Sequence, residues 1–317
     1  MQNSVTLPQW LDDIIFNEFD AVYEPSPNDV VYNPDQSYDF VRLYLGTYFP
    51  RSYAEAYGIV SRLLSYERYI VNLKELEELY LLDFCCGTGG EIFGTLVALQ
   101  ENLHNLKRIV IDSFDANEHA VCLLYHLIDK VNSSDETRIE MSVNPQCIFV
   151  ESQREIQDII NYTNVQYDLV LSFKAVNEFV QKRTFDPDNA YYTVARHLCP
   201  LLKKHGAFVL ADVSTQLNNN VLYYPHLMNA GLNEYLREEP QFRTVIPSSC
   251  FTHESSCSGC YMQDVFYVSH SRKTNDISKV AYRVICRTDM ANNILLNSIP
   301  KSCHATNPMA DKKSPYM

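Results

Sequence analysis

The stretch Tyr80-Leu81-Leu82-Asp83-Phe84-Cys85-Cys86-Gly87-Thr88-Gly89-Gly90 decides the predicted fold of this chain. It begins as an apolar run typical of a buried strand, and the segment Ile92 to Leu99 that follows has helical length and spacing. A strand, a glycine turn and a helix in this order begin the nucleotide-binding part of a doubly wound α/β sheet. Gly87 and Gly89 would allow a positive φ and a close approach of the backbone to a ligand.

The turn does not have the G-x-G-x-x-G spacing of a dinucleotide site, because Cys85 stands where a first glycine is expected. The pattern D-x-C-C-G-T-G resembles motif I of class I S-adenosylmethionine (SAM) methyltransferases. The resemblance implies that Asp83 lies near the methionine end of SAM and that the glycines pass beside its carboxylate and ribose. The cofactor-binding residues expected here are Asp83, Cys85, Gly87 and Gly89. The alternative is a glycine turn that binds nothing.

A second candidate site follows the predicted strand Arg108 to Phe114. A carboxylate at the end of this strand can accept hydrogen bonds from both ribose hydroxyls of an adenine nucleoside. We therefore predict that Asp115, with the adjacent Ala116, binds the cofactor, whereas Asp112 is a poorer candidate because it lies within the strand. The alternative role for Asp115 is the N-cap of the next helix, which the ligand role does not exclude.

Strand and helix patterns alternate through the rest of the chain, which predicts a mainly parallel sheet. Further strands are expected at Cys147–Val150, Tyr167–Phe173 and Ala207–Val213, with an antiparallel pair at Val265–Ser269 and Val280–Arg287. The predicted fold class is α/β: a Rossmann-like doubly wound sheet with an N-terminal helical cap and a cysteine-bearing C-terminal insertion. The predicted domains are a cap at 1–75, a methyltransferase domain at 76–297 with its insertion near 248–262, and a flexible tail at 298–317.

The predicted cap contains helices at Tyr38–Leu45 and Tyr53–Leu64. Between them, Pro50 is expected to end the first helix and Ser52 to cap the second. A lid over the cofactor is the alternative for this segment.

The residues after the strand Tyr167–Phe173 are candidates for the substrate side of the site. In methyltransferases this junction faces the transferring methyl group and the incoming substrate, so the resemblance places Ser172 at the cofactor. Asn177 and Glu178 could orient or deprotonate a nucleophile and are the predicted catalytic residues. The alternative is a loop and helix cap without chemistry. The segment lacks the N-P-P-Y pattern of amino-methylating enzymes, and the chain has no proline–cysteine pair like that of cytosine C5 enzymes.

The ten cysteines include a late group that could hold a metal. Reduced thiols at the C-x-x-C spacing of Cys257 and Cys260 can ligate zinc or an iron–sulfur cluster. The predicted ligands are Cys250, Cys257 and Cys260, with Cys286 or His253 as the fourth. The alternatives are a redox dithiol and ordinary unligated thiols.

A narrower resemblance joins these features. The segment Pro50-Arg51-Ser52-Tyr53-Ala54-Glu55-Ala56-Tyr57, the D-F-x-x-G-x-G turn, the Asn177-Glu178 pair and the late cysteines occur in one order over about residues 40–290. This order is similar to the methyltransferase-like family of ribosomal small-subunit assembly proteins. The resemblance implies an iron–sulfur cluster on the late cysteines, although their spacing here is not the family's.

Composition limits the function classes. The chain has 317 residues with 39 acidic against 26 basic side chains, a net charge of −13 that argues against a broad grip on nucleic acid. No apolar run reaches the roughly eighteen residues of a membrane span, and the acidic N-terminus is unlike a transit peptide, so we expect a cytoplasmic protein. The predicted function is SAM-dependent methyl transfer to a small-molecule or protein acceptor. The alternatives are a catalytically inert SAM-fold protein of ribosome assembly and a metal-dependent redox protein.

Overall fold

The computed structural model describes residues 3–25, 37–163, 165–217, 222–253, 260 and 263–296. The strands of these residues form a mixed, mainly parallel sheet of nine strands flanked by helices, which confirms the predicted Rossmann-like α/β fold. Backbone contacts group the chain into two compact units, 1–65 with 73–149 and 265–278, and 66–72 with 150–264 and 279–317. The division into a cap, a methyltransferase domain and a tail stays a prediction.

The first half of the chain contains β1 (Ser4–Thr6), α1 (Gln9–Asp13), a π-helical turn (Ile14–Glu18), α2 (Tyr38–Thr47), α3 (Phe49–Leu64), α4 (Glu67–Ile70), β2 (Glu78–Phe84), α5 (Gly90–Asn102), β3 (Arg108–Asp115), α6 (Glu118–Asn132) and β4 (Glu140–Cys147). The second half contains α7 (Gln153–Tyr162), β5 (Tyr167–Phe173), α8 (Val176–Lys182), α9 (Ala190–Leu198), a 3-10 turn (Cys199–Leu201), β6 (Leu202–Val213), α10 (Tyr224–Glu238), β7 (Phe242–Ile246), α11 (Ser248–His253), β8 (Asp264–His270), β9 (Lys273–Arg287) and α12 (Thr288–Leu295). None of the helices in the described ranges is long and apolar enough to cross a bilayer.

In the first unit, β2 pairs in parallel with β3, and β3 pairs in parallel with β4. Asp83 lies opposite Ser113, and Asp115 lies opposite Cys147, so both aspartates reach the carboxyl edge of these strands. Parallel strands present their ligand sites at this edge. The pairing therefore places the two strongest sequence candidates where a ligand of this fold class binds.

The expected strand at Cys147–Val150 is wrong, because the strand next to β3 is Glu140–Cys147. Apolar Met141 and Val143 alternate with polar residues, and Pro145 interrupts the apolar pattern. A proline is tolerated where its position needs no ladder donor, as on an outer strand. The more continuous apolar residues after Cys147 gave the stronger but misleading signal.

The expected helix boundary at Pro50 and Ser52 is also wrong. Helix α3 begins at Phe49, with Pro50 in its first turn, where the missing N–H costs no hydrogen bond. The helix lies against the start of α5, because a Cβ at Gly90 would be 2.5 Å from the Phe49 carbonyl oxygen and one at Gly94 would be 2.2 Å from that of Tyr53. The two glycines therefore permit a backbone-to-backbone contact that fixes α3 beside the turn.

In the second unit, β5 and β6 are parallel, and the C-terminal half of β9 runs antiparallel to β6 from Ala207↔Cys286 to Val213↔Val280. Strand β7 pairs antiparallel with β9 on its other side. Strands are found at both positions of the predicted pair: Val265–Ser269 lies within β8, and Val280–Arg287 lies within the longer β9, which is antiparallel to β6.

Candidate functional site

The glycine turn between β2 and α5 has the backbone conformation that its sequence predicts. Gly87 and Gly89 have φ of +48° and +81°, and Cys85 has φ of +62°, which is unusual for a residue with a side chain. The Gly89 N–H donates to the Cys86 carbonyl, and the Cys86 N–H donates to the Phe114 carbonyl of β3. The turn is thus closed on itself and attached to the neighbouring strand, as a preformed ligand cradle requires.

Asp115 connects this turn to the end of β3. One carboxylate oxygen accepts the Gly87 N–H at 2.7 Å, and the other accepts the Asn117 N–H at 2.9 Å. The N-cap of α6 is Asn117, whose side chain accepts the Ala120 N–H, so the alternative role of Asp115 as N-cap is not observed. Because each carboxylate oxygen accepts more than one hydrogen bond, Asp115 retains acceptor capacity for two ribose hydroxyls.

Two further acidic residues of the first unit, Asp83 and Glu91, lie near Asp115. Asp83 is fully buried, and Glu91 in the first turn of α5 is only 4% exposed. Neither oxygen of Asp83 has a hydrogen-bond partner among the described residues. Burial, followed by the charges of Glu91 and Asp115, raises the pKa of Asp83 well above its usual range. We call Asp83, Glu91 and Asp115 the acid cluster; its defining property is a buried carboxyl group without a partner.

Tyr44 of α2 lies against Gly87 of the turn. A Cβ at Gly87 would lie 3.2 Å from Cε1 of Tyr44, so the tyrosine ring occupies the space that any other residue at position 87 would need. Tyr44 in turn packs on Tyr48 with ring centroids 4.8 Å apart. The contact supplies a second reason for glycine at this position, beside its positive φ.

The predicted substrate-side residues lie in the second unit. Asn177 and Glu178 are half-buried in the first turn of α8, and the N–H of Asn177 donates to the buried carboxylate of Asp212 at 2.8 Å. The Tyr191 hydroxyl donates to the same oxygen at 2.9 Å. Burial raises the pKa of Asp212 to about 7, although the hydrogen bonds from Asn177 and Tyr191 favour its carboxylate form and lower the pKa. Glu178 is paired with Lys182 at 3.7 Å, as the helix spacing allows.

Ser172 and Ala116 complete the predicted cofactor set. Ser172 is fully buried at the end of β5, and its hydroxyl has no partner among the described residues. Ala116 is half-buried, and its carbonyl accepts a hydrogen bond from the Cys147 thiol at 3.4 Å. A role of either residue in binding stays a prediction.

Within the described part of the chain, no group of three or more His, Cys, Asp or Glu side chains is arranged to hold a metal ion, so the late cysteines seen there do not form a metal centre. Cys257 and most of the insertion lie outside the described residues. The Cys260 sulfur accepts a hydrogen bond from the buried Arg283 guanidinium at 3.0 Å. Cys286 is buried in β9, and burial raises the pKa of its thiol to about 12, which favours the protonated thiol. The four-cysteine ligand set is therefore not supported by the residues seen and stays a prediction.

Comparison with known proteins gives distant similarities. No family model matches the chain, and no curated protein sequence matches it. The magnesium protoporphyrin IX methyltransferase of Synechocystis, bound to SAM, is 12% identical over 88% of this chain and 95% of its own, with a TM-score of 0.42. A proposed RNA methyltransferase of Pyrococcus horikoshii is 9% identical over 92% of this chain and 100% of its own, with a TM-score of 0.41.

A third structure is the plantazolicin methyltransferase in complex with a desmethyl analogue and S-adenosylhomocysteine (SAH). It is 13% identical over 61% of this chain and 66% of its own, with a TM-score of 0.39. In fold, the chain is similar to SAM-dependent methyltransferases.

Sequence reasoning missed three residues of these sites. Glu91 lies just before the predicted helical segment Ile92 to Leu99 and was not among the candidates, although an acidic residue directly after a glycine turn is a recognisable signal. Asp212 lies next to the end of the predicted strand Ala207–Val213, and the rule that parallel strands present ligand-side residues at their carboxyl ends could have identified it. Tyr44 carried no signal, because its contact with Gly87 depends on how α2 packs.

Proposed function

We propose that the protein is a SAM-dependent methyltransferase whose cofactor binds at the turn between β2 and α5. The observation that carries the proposal is the acid cluster at this turn, with Asp83 buried and without a partner in the described structure. A buried carboxylate without a partner is costly, and a cationic ligand group would stabilise it. SAM has two such groups, the sulfonium and the α-ammonium.

The cluster also discriminates against the main rival ligands of this fold class. Dinucleotides place an anionic pyrophosphate at the glycine turn and the helix N-terminus. Here Asp83, Glu91 and Asp115 lie at that position, and the charges of the ionised members of the cluster would repel a phosphate. The site therefore favours a nucleoside with a cationic substituent, which agrees with the absence of the G-x-G-x-x-G spacing.

The residues of the first unit have separate expected roles. Asp115 would receive the ribose hydroxyls on its remaining lone pairs, while its bond to the Gly87 N–H holds the turn in shape. Gly87 and Gly89 would let the backbone approach the ligand, and Cys85 would border it. When bound, SAM supplies an activated methyl group, so the protein needs mainly to position the acceptor.

Asn177 and Glu178 are proposed as the acceptor-side residues. Asp212 would orient Asn177, since its carboxylate holds the backbone N–H at the start of α8. The acidic composition favours a small-molecule or protein acceptor over nucleic acid. A cytoplasmic location is part of this proposal.

Binding calorimetry tests the proposal without knowledge of the acceptor. SAM and SAH should bind the wild-type protein, and NAD should not. Asp115→Ala should weaken SAH binding by about 1.5–3 kcal/mol, the scale of charge-assisted hydrogen bonds. Asp112→Ala is the matched control, because Asp112 lies on the same strand and bonds Asn144 instead of the turn. Binding of NAD in preference to SAM, or equal effects of the two substitutions, would contradict the assignment.

A further inference from the structure

We propose that the acid cluster releases a proton to the solvent when the cationic end of the cofactor binds. This inference rests on the proposed function and adds a property to it: the coupling of cofactor binding to pH. It concerns the cluster of Asp83, Glu91 and Asp115 as a titrating unit, not a single pair of atoms.

The first step of the argument is geometric. Asp83 is completely buried at the end of β2, and neither of its oxygens has a partner in the described residues. Asp115, by contrast, accepts two backbone N–H groups, which stabilise its carboxylate form. Asp83 has no such stabilisation, so of these two it is the group on which a proton is more readily retained.

The second step concerns the charges that face Asp83. Glu91 projects from the first turn of α5, Asp115 from the end of β3, and the buried Cys86 thiol belongs to the turn itself. The carboxylates of Glu91 and Asp115 would repel an ionised Asp83, whereas burial raises the pKa of the Cys86 thiol well above its usual range, so the thiol stays neutral. Retention of one proton therefore lowers the electrostatic cost of the cluster in the unliganded protein.

The third step is the effect of a ligand. An ammonium group placed at the cluster favours the carboxylate form of its neighbours and so lowers their pKa. The proton held by the cluster then passes to the buffer, and the carboxylate that remains pairs with the cation. By linkage, cofactor affinity should rise with pH, by at most about tenfold per pH unit, across the range in which the cluster titrates.

Calorimetry in buffers of different ionisation enthalpy measures this proton directly. At one pH, the slope of the observed heat against the buffer's ionisation enthalpy gives the number of protons released. For SAH we expect a release of about one proton. Methylthioadenosine has the same nucleoside but lacks the amino-acid cation, so we expect a release near zero with it.

Variants locate the proton. Asp83→Asn should abolish the release on SAH binding, and Glu91→Gln should reduce it. Glu101→Gln is the matched control, since Glu101 lies on the same helix but bonds the Tyr57 hydroxyl at an exposed position. If Asp83→Asn does not fold, Glu91→Gln against Glu101→Gln gives the same comparison.

The outcomes separate the inference from the proposed function. SAH binding without proton release, or with a release that neither cluster variant changes, would overturn the inference and leave the proposed function intact. Absence of any SAH binding by the folded wild-type protein would refute both.

Discussion

Replacement of Asp83 by asparagine should stabilise the unliganded protein, and increasingly so as pH rises. The raised pKa of Asp83 means that the folded protein keeps a proton that the unfolded chain, with a carboxyl pKa of about 4, has lost. The contribution of Asp83 to the free energy of unfolding is therefore largest below the carboxyl pKa of the unfolded chain, and it falls as pH rises toward the raised pKa of Asp83 in the folded protein. The slope is at most about 1.4 kcal/mol per pH unit. An asparagine has nearly the same shape but does not titrate, so its contribution to stability does not change with pH.

Urea unfolding followed at pH 5, 6 and 7 measures this effect. The difference between Asp83→Asn and wild type should grow with pH, by at most about 2.7 kcal/mol over these two units. Asp168→Asn is the control: Asp168 is also buried, but it is paired with Lys203 at 2.7 Å, so its substitution should destabilise the protein. A difference between Asp83→Asn and wild type that does not change with pH would refute the reasoning that Asp83 is protonated in the unliganded protein.

Four further predictions concern packing, pH, metal content and partners. Gly94→Ala should destabilise the protein by about 1–3 kcal/mol, because the added Cβ would lie 2.2 Å from the Tyr53 carbonyl oxygen. Urea unfolding of this variant, with Val97→Ala as the control, tests the prediction, and a gain in stability would contradict it. Burial lowers the pKa of His270, so the stability of the folded protein should fall below about pH 6.5, where the unfolded chain takes up a proton that the folded protein does not. In thermal melts, His270→Phe should remove this loss of stability, and a loss of the same size in the variant would contradict the prediction. If the late cysteines hold a metal, Cys257→Ser should lower thermal stability and metal content together, whereas neither zinc nor iron above trace in protein purified without oxygen would leave them as thiols. The net charge of −13 should prevent tight nonspecific binding to duplex DNA or structured RNA at physiological salt, and a gel shift with steep salt dependence would show the opposite.

The sequence was most informative where local rules decide the structure. The turn at Gly87 and Gly89 needs positive φ, and the apolar run before it needs burial, so strand, turn and helix were predictable together. Strand Tyr167–Phe173 was predicted with its observed bounds, because most of its residues are apolar, as is typical of a strand that is buried along its whole length. The position of Asp115 followed from the rule that parallel strands present ligand sites at their carboxyl ends.

Features that depend on packing between distant segments could not be predicted. Helix α3 begins at Phe49 because Gly90 and Gly94 admit its backbone, and no local signal in α3 shows this. Strand β4 was displaced in the prediction because Pro145 weakens a pattern that its pairing with β3 nevertheless supports. The missing partner of Asp83 is likewise a property of the folded structure, since the sequence shows only an aspartate at the end of a strand.

A crystal structure of the protein with SAH tests the central claim most directly. We expect the ribose hydroxyls within about 2.6–3.2 Å of the two carboxylate oxygens of Asp115 and the amino-acid end beside the turn at Gly87 and the acid cluster. A complex in which SAH lies elsewhere, or in which Asp115 accepts no hydrogen bond from the ribose, would contradict the proposed cofactor site.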